Sequence, residues 1–204
     1  MSKLCFVDLE TTGLDHYRHC PWQIGMIVET PSGEMLEGKE RREFHLKFQP
    51  LPQADITLEA LRVGGVTMEE FARFPTAKEA KAKIEEFLAQ LVNKFDKNDK
   101  LWFIGYNAQF DCAMLRSWWE RQADQYFASW FWHPSIDVMN MAAQRAMLTE
   151  KRGQMVNFKL KSVAEHFGDQ PLPDPSGIHD AMEDVRMTQR LYHTLCKLNS
   201  ADST

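Results

Sequence analysis

The segment "KLWFIGYN", residues 100–107, places the strongest constraint on the fold of this 204-residue chain. It is a continuous apolar run bounded by polar residues, without alternation between apolar and polar positions. Strands of this kind are buried on both faces, as in a parallel sheet that carries helices on both sides. We therefore predict that residues 100–107 form a strand in the parallel part of a helix-covered sheet.

The rest of the chain supplies further elements for such a sheet. We predict strands at Lys3–Glu10 and Gln23–Thr30, and residues 42–48 alternate as a half-buried antiparallel strand does. Helical patterns cover residues 75–93, 110–122, 158–168 and 179–198, and residues 133–147 read as a short strand and a helix. Strands in a run, followed by strands alternating with helices, indicate an α/β domain with a mixed sheet.

Length and composition are typical of one globular domain, with 44% hydrophobic and 26% charged residues. We predict a single domain over residues 1–198 and a flexible tail at 199–204. Four cysteines without a CxxC pair suggest neither a zinc knuckle nor a disulfide framework and fit a reducing compartment. The first apolar run, Leu4–Val7, is too short for a signal peptide or a membrane span. We expect a cytoplasmic protein without membrane contact.

Two carboxylates interrupt the apolar first strand in "FVDLETTG", residues 6–13. Because side chains alternate along a strand, Asp8 and Glu10 share one face. Solvated acids at an exposed strand end are the ordinary explanation for such a pair. Two more acids, Asp111 and Asp184, stand at the front of apolar helical stripes, where a carboxylate is costly unless it is compensated.

If these four acids converge, their repulsion needs compensation. Two unit charges about 4 Å apart repel by roughly 4 kcal/mol at an effective dielectric constant of about 20, against a total stability of roughly 5–15 kcal/mol. Divalent cations or raised pKa values offset such repulsion. Ligands that are all oxygen favour Mg²⁺ or Mn²⁺ over zinc, and a pair of such ions is used for attack at phosphorus. The net charge of −5 does not exclude a nuclease, because bound metals supply local positive charge.

His179 stands five residues before Asp184, next to Asp180, which we predict as the N-cap of the last helix with Glu183 as its capping-box partner. A histidine side chain titrates near neutral pH and can take a proton from an attacking water. A single histidine before a helix is more often structural. Its position beside a predicted metal ligand favours a catalytic role here.

Three motifs, in order, resemble those of the DEDDh 3′–5′ exonucleases, the family of the bacterial DNA polymerase proofreading subunit and RNase T. "FVDLETTGL" resembles D-x-E-T-T-G, "YNAQFDCAML" resembles N-A-x-F-D, and "HDAMEDV" resembles H-x-x-x-x-D. The resemblance covers about residues 3–198. The chain departs from the family at Gly64, where His is common, and at Gln23, where Glu often precedes the second strand.

The resemblance implies an RNase H-like fold, a five-stranded mixed sheet flanked by helices. It also implies two bound Mg²⁺ or Mn²⁺ ions. In that scheme Asp8 bridges both ions, Glu10 and Asp184 complete the site that activates water, and Asp111 supports the second ion. His179 is the general base.

The resemblance further implies how the terminal nucleotide is held. The backbone around Thr11 and Thr12, with Leu14 and Phe110, grips the nucleotide, while Asn107 holds the second motif in place. The implied activity is removal of nucleoside 5′-monophosphates from the 3′ ends of single-stranded or frayed DNA.

Two alternatives stay open at this point. One is an RNA exonuclease of the oligoribonuclease or RNase T kind, and the other is a non-catalytic nucleic-acid-binding module on the same fold. The expected partner is single-stranded nucleic acid, with DNA favoured and RNA possible. Association with a polymerase and self-association are left open. A group of aromatic residues fits either base stacking or, more often, a core: Trp118, Trp119, Trp130, Phe131 and Trp132.

Overall fold

The computed structural model describes residues 2–33, 42–169 and 178–201, which contain five strands and seven α-helices. Two short 3₁₀ turns lie at Tyr126–Ser129 and Arg152–Gln154. In chain order the elements are β1 (Leu4–Thr11), β2 (Pro21–Glu29), β3 (Arg42–Lys47), α1 (Leu58–Gly64), α2 (Met68–Phe71), α3 (Ala77–Ala89), β4 (Trp102–Gly105), α4 (Ala108–Glu120), β5 (Ile136–Asp137), α5 (Val138–Leu148), α6 (Leu160–His166) and α7 (Ala181–Ala201).

The strands form one mixed sheet in the order β3-β2-β1-β4-β5. The first three strands are antiparallel neighbours, whereas β4 runs parallel to β1 and β5 runs parallel to β4. This arrangement confirms the predicted five-stranded mixed α/β sheet. The strand predicted from "KLWFIGYN" is shorter than expected, but Phe103 and Ile104 are both fully buried and face opposite cores.

The sheet separates two apolar cores. Along β1, Cys5, Val7 and Leu9 belong to the core that α3 and α4 cover. Leu4 and Phe6 belong to the core that α5, α6 and α7 cover. The acids Asp8 and Glu10 therefore continue the second face, as the alternation along the strand predicted.

Most of the aromatic group from the sequence lies in the first core. Trp118, Trp119, Trp130 and Phe131 are all buried there, which confirms the core interpretation for these four residues. Trp132 is partly exposed and packs against Trp102, with ring centroids 6.1 Å apart.

The sequence patterns did not predict two helices, α1 and α2. They have seven and four residues, too few for an apolar stripe to repeat. Their N-cap residues were the sequence features that could have indicated them. The Thr57 hydroxyl accepts from the Ala60 N–H, and Thr67 forms a reciprocal capping box with Glu70.

The last helix, α7, continues to Ala201, three residues past the predicted boundary at 198. The single domain over 1–198 with a tail at 199–204 stays a prediction. Among the helices of the described ranges, none combines the length and the apolar character that crossing a membrane requires.

Gly25 in β2 allows α7 to lie directly on the sheet. It pairs with Asp8 of β1, so a side chain at this position would share the face of the Asp8 carboxylate. A Cβ atom at Gly25 would lie 2.7 Å from the Ala181 carbonyl oxygen and 3.0 Å from the Met182 nitrogen. The start of α7 is therefore held against the strand that neighbours the two acids.

We expect Gly25→Ala to destabilise the fold, because the added methyl meets the backbone of α7. Overpacking of this kind costs about 1–3 kcal/mol. The free energy of unfolding, measured in urea, should fall by that amount. Gly153→Ala is the matched control, since a Cβ at Gly153 meets nothing within 4 Å. Equal stability of the two variants would contradict the close approach.

Candidate active site

The sheet and two helices bring the four predicted acids to one end of β1. Asp8 and Glu10 lie on the face that α7 covers, Asp8 partly accessible and Glu10 buried at 8% exposure. Across the sheet Glu10 pairs with Gln23 of β2, and Asp8 pairs with Gly25. At both carboxylates β1 is paired with β2, whereas its pairing with β4 ends at Phe6.

Asp111 enters the site from α4. Because β4 runs parallel to β1, the turn after β4 places the first helical turn of α4 beside the end of β1. The backbone N–H groups of Asp111 itself and of Leu9, the residue between Asp8 and Glu10, lie close enough to the buried Asp111 carboxylate to lower its pKa. The carboxylate from α4 therefore lies next to the acidic strand.

The turn into α4 depends on Asn107. Its backbone is left-handed, with φ 60° and ψ 45°, a conformation that asparagine tolerates better than most residues. Its N–H donates to Asp137 Oδ1 at 3.1 Å, and the same oxygen accepts from the Met139 N–H at the start of α5. Asn107 therefore has a positioning role in the second motif through its backbone.

Asp184 and His179 enter from the start of α7. Asp184 lies in the first turn of the helix, and its Oδ2 is 3.5 Å from His179 Nδ1. Glu10, His179 and Asp184 each offer a donor atom within 4.8 Å of the other two. The His179 N–H donates to the Val63 carbonyl at 3.0 Å, which joins the loop before α7 to α1.

The predicted N-cap of α7 is present. Asp180 Oδ1 accepts from the Met182 N–H at 3.0 Å and from the Glu183 N–H at 3.3 Å. The Glu183 carboxylate accepts from Arg186 Nη1 at 2.7 Å. Asp180 was predicted only as a cap, but its negative charge also acts on Asp8.

Burial and mutual repulsion raise the pKa values of three acids, Asp8, Glu10 and Asp111. Burial raises the pKa of Asp8 well above its usual range, and the charges of Asp111, Asp184, Glu10 and Asp180 raise it further. These shifts show that the acids act on one another electrostatically. The convergence that the sequence suggested is therefore present in the fold.

Glu10 and Asp111 shift in the same direction. Burial is the main cause that raises the pKa of Glu10 to about 7, with Asp184 adding to it and His179 opposing it. Burial likewise raises the pKa of Asp111 well above its usual range, although the nearby N–H groups of Asp111 itself and of Leu9 oppose the change. Asp137 contributes to this shift, a residue that the sequence analysis did not single out.

The donor set fits a divalent cation. Buried carboxylates that repel one another are stabilised in the charged form by a bound cation. Glu10, His179 and Asp184 already lie at mutual distances that one ion can span. Asp8 and Asp111 lie in the same electrostatic cluster, so the residues predicted as ligands are brought together.

The turn after β1 is held by Thr12, which is 1% exposed. Its hydroxyl donates to the Asp55 carbonyl at 2.6 Å and accepts from the Cys20 N–H at 3.1 Å. The Thr12 carbonyl accepts both from the N–H of Thr57 at 2.9 Å and from its hydroxyl at 3.2 Å. Thr12 therefore anchors the turn to the segment before α1, and its nucleotide contact stays a prediction.

The other predicted nucleotide contacts lie around this turn. Leu14 is 83% exposed directly after it, and Phe110 is half-buried in the first turn of α4. The Thr11 hydroxyl donates to the Gly13 carbonyl at 2.8 Å. A Cβ at Gly13 would lie 2.3 Å from His19 Cδ2, so the histidine ring requires glycine in the turn.

A family model described as "Exonuclease", RNase_T, matches residues 5–192. The chain belongs to this exonuclease family. It is the DEDDh-type 3′–5′ exonuclease family that the three motifs indicated. A search of curated protein sequences found no match.

Solved structures of exonucleases share the fold. E. coli exonuclease I in complex with a dT13 oligonucleotide has a TM-score of 0.69 and 21% identity over 96% of this chain and 41% of that chain. The exonuclease I of Methylocaldum szegediense has a TM-score of 0.74 and 20% identity, covering 97% of this chain and 41% of that one. Cell-death related nuclease 4 also has a TM-score of 0.74, with 12% identity over 97% of this chain and 64% of its own.

These similarities confirm the RNase H-like fold predicted from the motifs. The chain spans about two fifths of the length of the exonuclease I structures that it matches.

In the absence of divalent metal, we expect the stability of this exonuclease domain to fall as the pH rises from about 5 to 7.5. The pKa of Glu10 is raised from 4.5 to about 7, so in this range the folded state binds more protons than the unfolded chain. Stability then decreases with pH, and the raised pKa values of Asp8 and Asp111 act in the same direction. The midpoint of thermal unfolding in EDTA should be lower at pH 7.5 than at pH 5 by roughly 5 °C.

Glu10→Gln is the control for this measurement, because it removes one repelling charge and keeps the side-chain volume. In EDTA it should unfold at a higher temperature than the wild type at pH 7.5. Excess Mn²⁺ should stabilise the wild type more at pH 7.5 than at pH 5. A midpoint that rises with pH in EDTA and does not respond to Glu10→Gln would contradict the repulsion.

Proposed function

We propose that this chain is a divalent-metal-dependent 3′–5′ exonuclease that removes nucleoside 5′-monophosphates from single-stranded DNA. The observation that carries this proposal is the cluster of four mutually repelling acids, of which Glu10 and Asp111 are buried, with His179 Nδ1 3.5 Å from Asp184 Oδ2. Membership of the exonuclease family supports it. Structurally similar exonuclease I chains are bound to dT13 and dA16 oligonucleotides, which favours DNA as the substrate.

Asp8, Glu10, Asp111 and Asp184 would hold two Mg²⁺ or Mn²⁺ ions. Such ions activate the attacking water and stabilise the negative charge that develops on the phosphate. The raised pKa values of Asp8, Glu10 and Asp111 fit this role, since a charged ligand set is formed only when cations compensate its repulsion. A protein that only bound nucleic acid would have no use for this repulsion.

His179 is the proposed general base. Its Nδ1 faces Asp184, so we assign proton transfer to Nε2. The Asp184 carboxylate favours the charged imidazolium that forms when water gives up its proton. The hydrogen bond from the His179 N–H to Val63 keeps the loop at the start of α7 in place.

The turn after β1 would hold the terminal nucleotide. Leu14 is exposed directly after this turn, and an exposed apolar side chain at such a place offers a surface to a base. Phe110 adds an aromatic ring from α4. Thr12 fixes this surface through its bonds to Asp55 and Thr57.

We expect Asp8→Ala to abolish hydrolysis of a 3′-labelled single-stranded oligonucleotide in Mg²⁺, by at least about a thousandfold in kcat. The physical reason is the loss of the ligand at the centre of the cluster. Excess EDTA should have the same effect on the wild type. Glu183→Ala is the control, because Glu183 is an exposed acid of α7 that pairs with Arg186 and lies outside the cluster.

The same assay separates the alternatives. Oligonucleotides of matched sequence, as single-stranded DNA, duplex DNA and RNA, should be digested fastest as single-stranded DNA. Faster digestion of RNA would show that RNA, and not single-stranded DNA, is the preferred substrate. Tight oligonucleotide binding by the wild type in Mg²⁺ without any product would support a binding module instead, and undiminished turnover by Asp8→Ala would refute the role of the metals.

We expect His179→Ala to lower kcat by about 10²–10⁴-fold, the usual contribution of a general base. Binding of a 3′-phosphorothioate oligonucleotide should change far less, because the imidazole acts on the water. Steady-state kinetics and a filter-binding titration measure the two effects. A variant with normal kcat and weakened binding would show that His179 holds the substrate and is not the base.

A further inference from the structure

Gln23 is a fully buried polar residue beside the acidic strand. It lies in β2 opposite Glu10 and has no solvent exposure. Its amide nitrogen donates to Asp180 Oδ2 at 2.7 Å and lies 2.7 Å from His45 Nε2 on β3. A buried amide with two such contacts orients the groups around it, because neither contact can be exchanged for water without cost.

Asp180 uses its two oxygens for different purposes. Oδ1 accepts the first N–H groups of α7, whereas Oδ2 accepts from Gln23. One carboxylate therefore connects the end of a helix to the strand next to β1. His179 directly precedes Asp180, and Asp184 follows it by one helical turn, with its N–H donating to the Asp180 carbonyl at 3.1 Å.

Two other contacts also hold the start of α7. Gly25 allows the Ala181 backbone to approach β2, and Val63 holds the His179 N–H from the other side. The side-chain bond between Gln23 and Asp180 fixes the start of α7 along the strand, because it joins one named atom of the N-cap to a residue paired with Glu10. Further along α7, Gln189 and His193 bond to Glu29 at the other end of β2.

We propose that Gln23 and Asp180 form a positioning pair that sets His179 and Asp184 in register with Asp8 and Glu10. The pair rests on the proposed function and acts through those residues, without touching the substrate. Glutamine suits this position because its amide donates to Asp180 without adding a further carboxylate beside the cluster. A glutamate here would place two acceptors face to face.

An exchange of donor and acceptor tests the pair. Gln23→Glu and Gln23→Met each break the bond, the first by opposing two carboxylates and the second by removing the amide donor. The double variant Gln23→Glu with Asp180→Asn restores the bond, because the new amide can cap α7 with its oxygen and donate with its nitrogen to the new carboxylate in β2. Each single variant should lose about 10–100-fold in kcat with KM changed by less than about threefold, and the double variant should regain most of the loss.

The two single variants also separate geometry from charge. Gln23→Glu adds a negative charge beside the cluster, whereas Gln23→Met leaves the charge unchanged, so an effect of charge alone would spare Gln23→Met. A positioning role predicts that both lose activity. Glu183→Ala is the control, because the exposed Glu183 carboxylate pairs with Arg186 and its loss leaves the bond between Gln23 and Asp180 intact, so kcat should stay within about twofold.

Mn²⁺ affinity, measured by electron paramagnetic resonance without nucleic acid, provides a readout that does not depend on hydrolysis. It should weaken in both single variants and recover in the double variant. Urea unfolding confirms that each variant is folded, and either single variant decides the matter if the other does not fold. Two results would refute the positioning pair. One is a wild-type kcat and Mn²⁺ affinity in both single variants, and the other is a double variant whose kcat is no higher than that of the less active single variant. A wild type without nuclease activity would overturn the proposed function, and the Mn²⁺ titration would still decide on the pair.

Discussion

The repulsion among four carboxylates at one end of β1 is the constraint on which the rest of the structure depends. Each of these acids would be more stable in water, yet Glu10 and Asp111 are buried and Asp8 is partly buried. The fold keeps them together because two apolar cores, one on each face of the sheet, supply the stability that the site removes. A divalent cation would turn this unfavourable cluster into a favourable one.

The acids are held in place by neutral donors. The Leu9 N–H supports Asp111, the Asn107 N–H meets Asp137, and the Gln23 amide meets Asp180. A lysine or arginine in these places would form ion pairs with the acids and compete with a metal ion. Neutral hydrogen-bond donors orient a carboxylate and leave most of its charge for the ligand that it binds.

Much of the fold and of the acidic cluster could be predicted from the sequence, because both depend on local patterns. The alternation in β1 put Asp8 and Glu10 on one face, and the helical stripes turned Asp111 and Asp184 toward the sheet. The helices α1 and α2 were missed because seven and four residues are too few to show a period. The roles of Gln23 and Asp137 were missed for another reason. Gln23 meets its partner 157 residues further along the chain, and no local pattern reports such a contact.

The position of α7 in the chain has a consequence for how this site comes into existence. Asp8 is in the first strand and Asp184 is in the last helix, so the two halves of the cluster are made at opposite ends of the domain's synthesis. A nascent chain that has not yet released α7 from the ribosome carries the acids of β1 without their partners. The complete acidic centre therefore forms only after α7 has been made, and a chain that stops before α7 lacks Asp184.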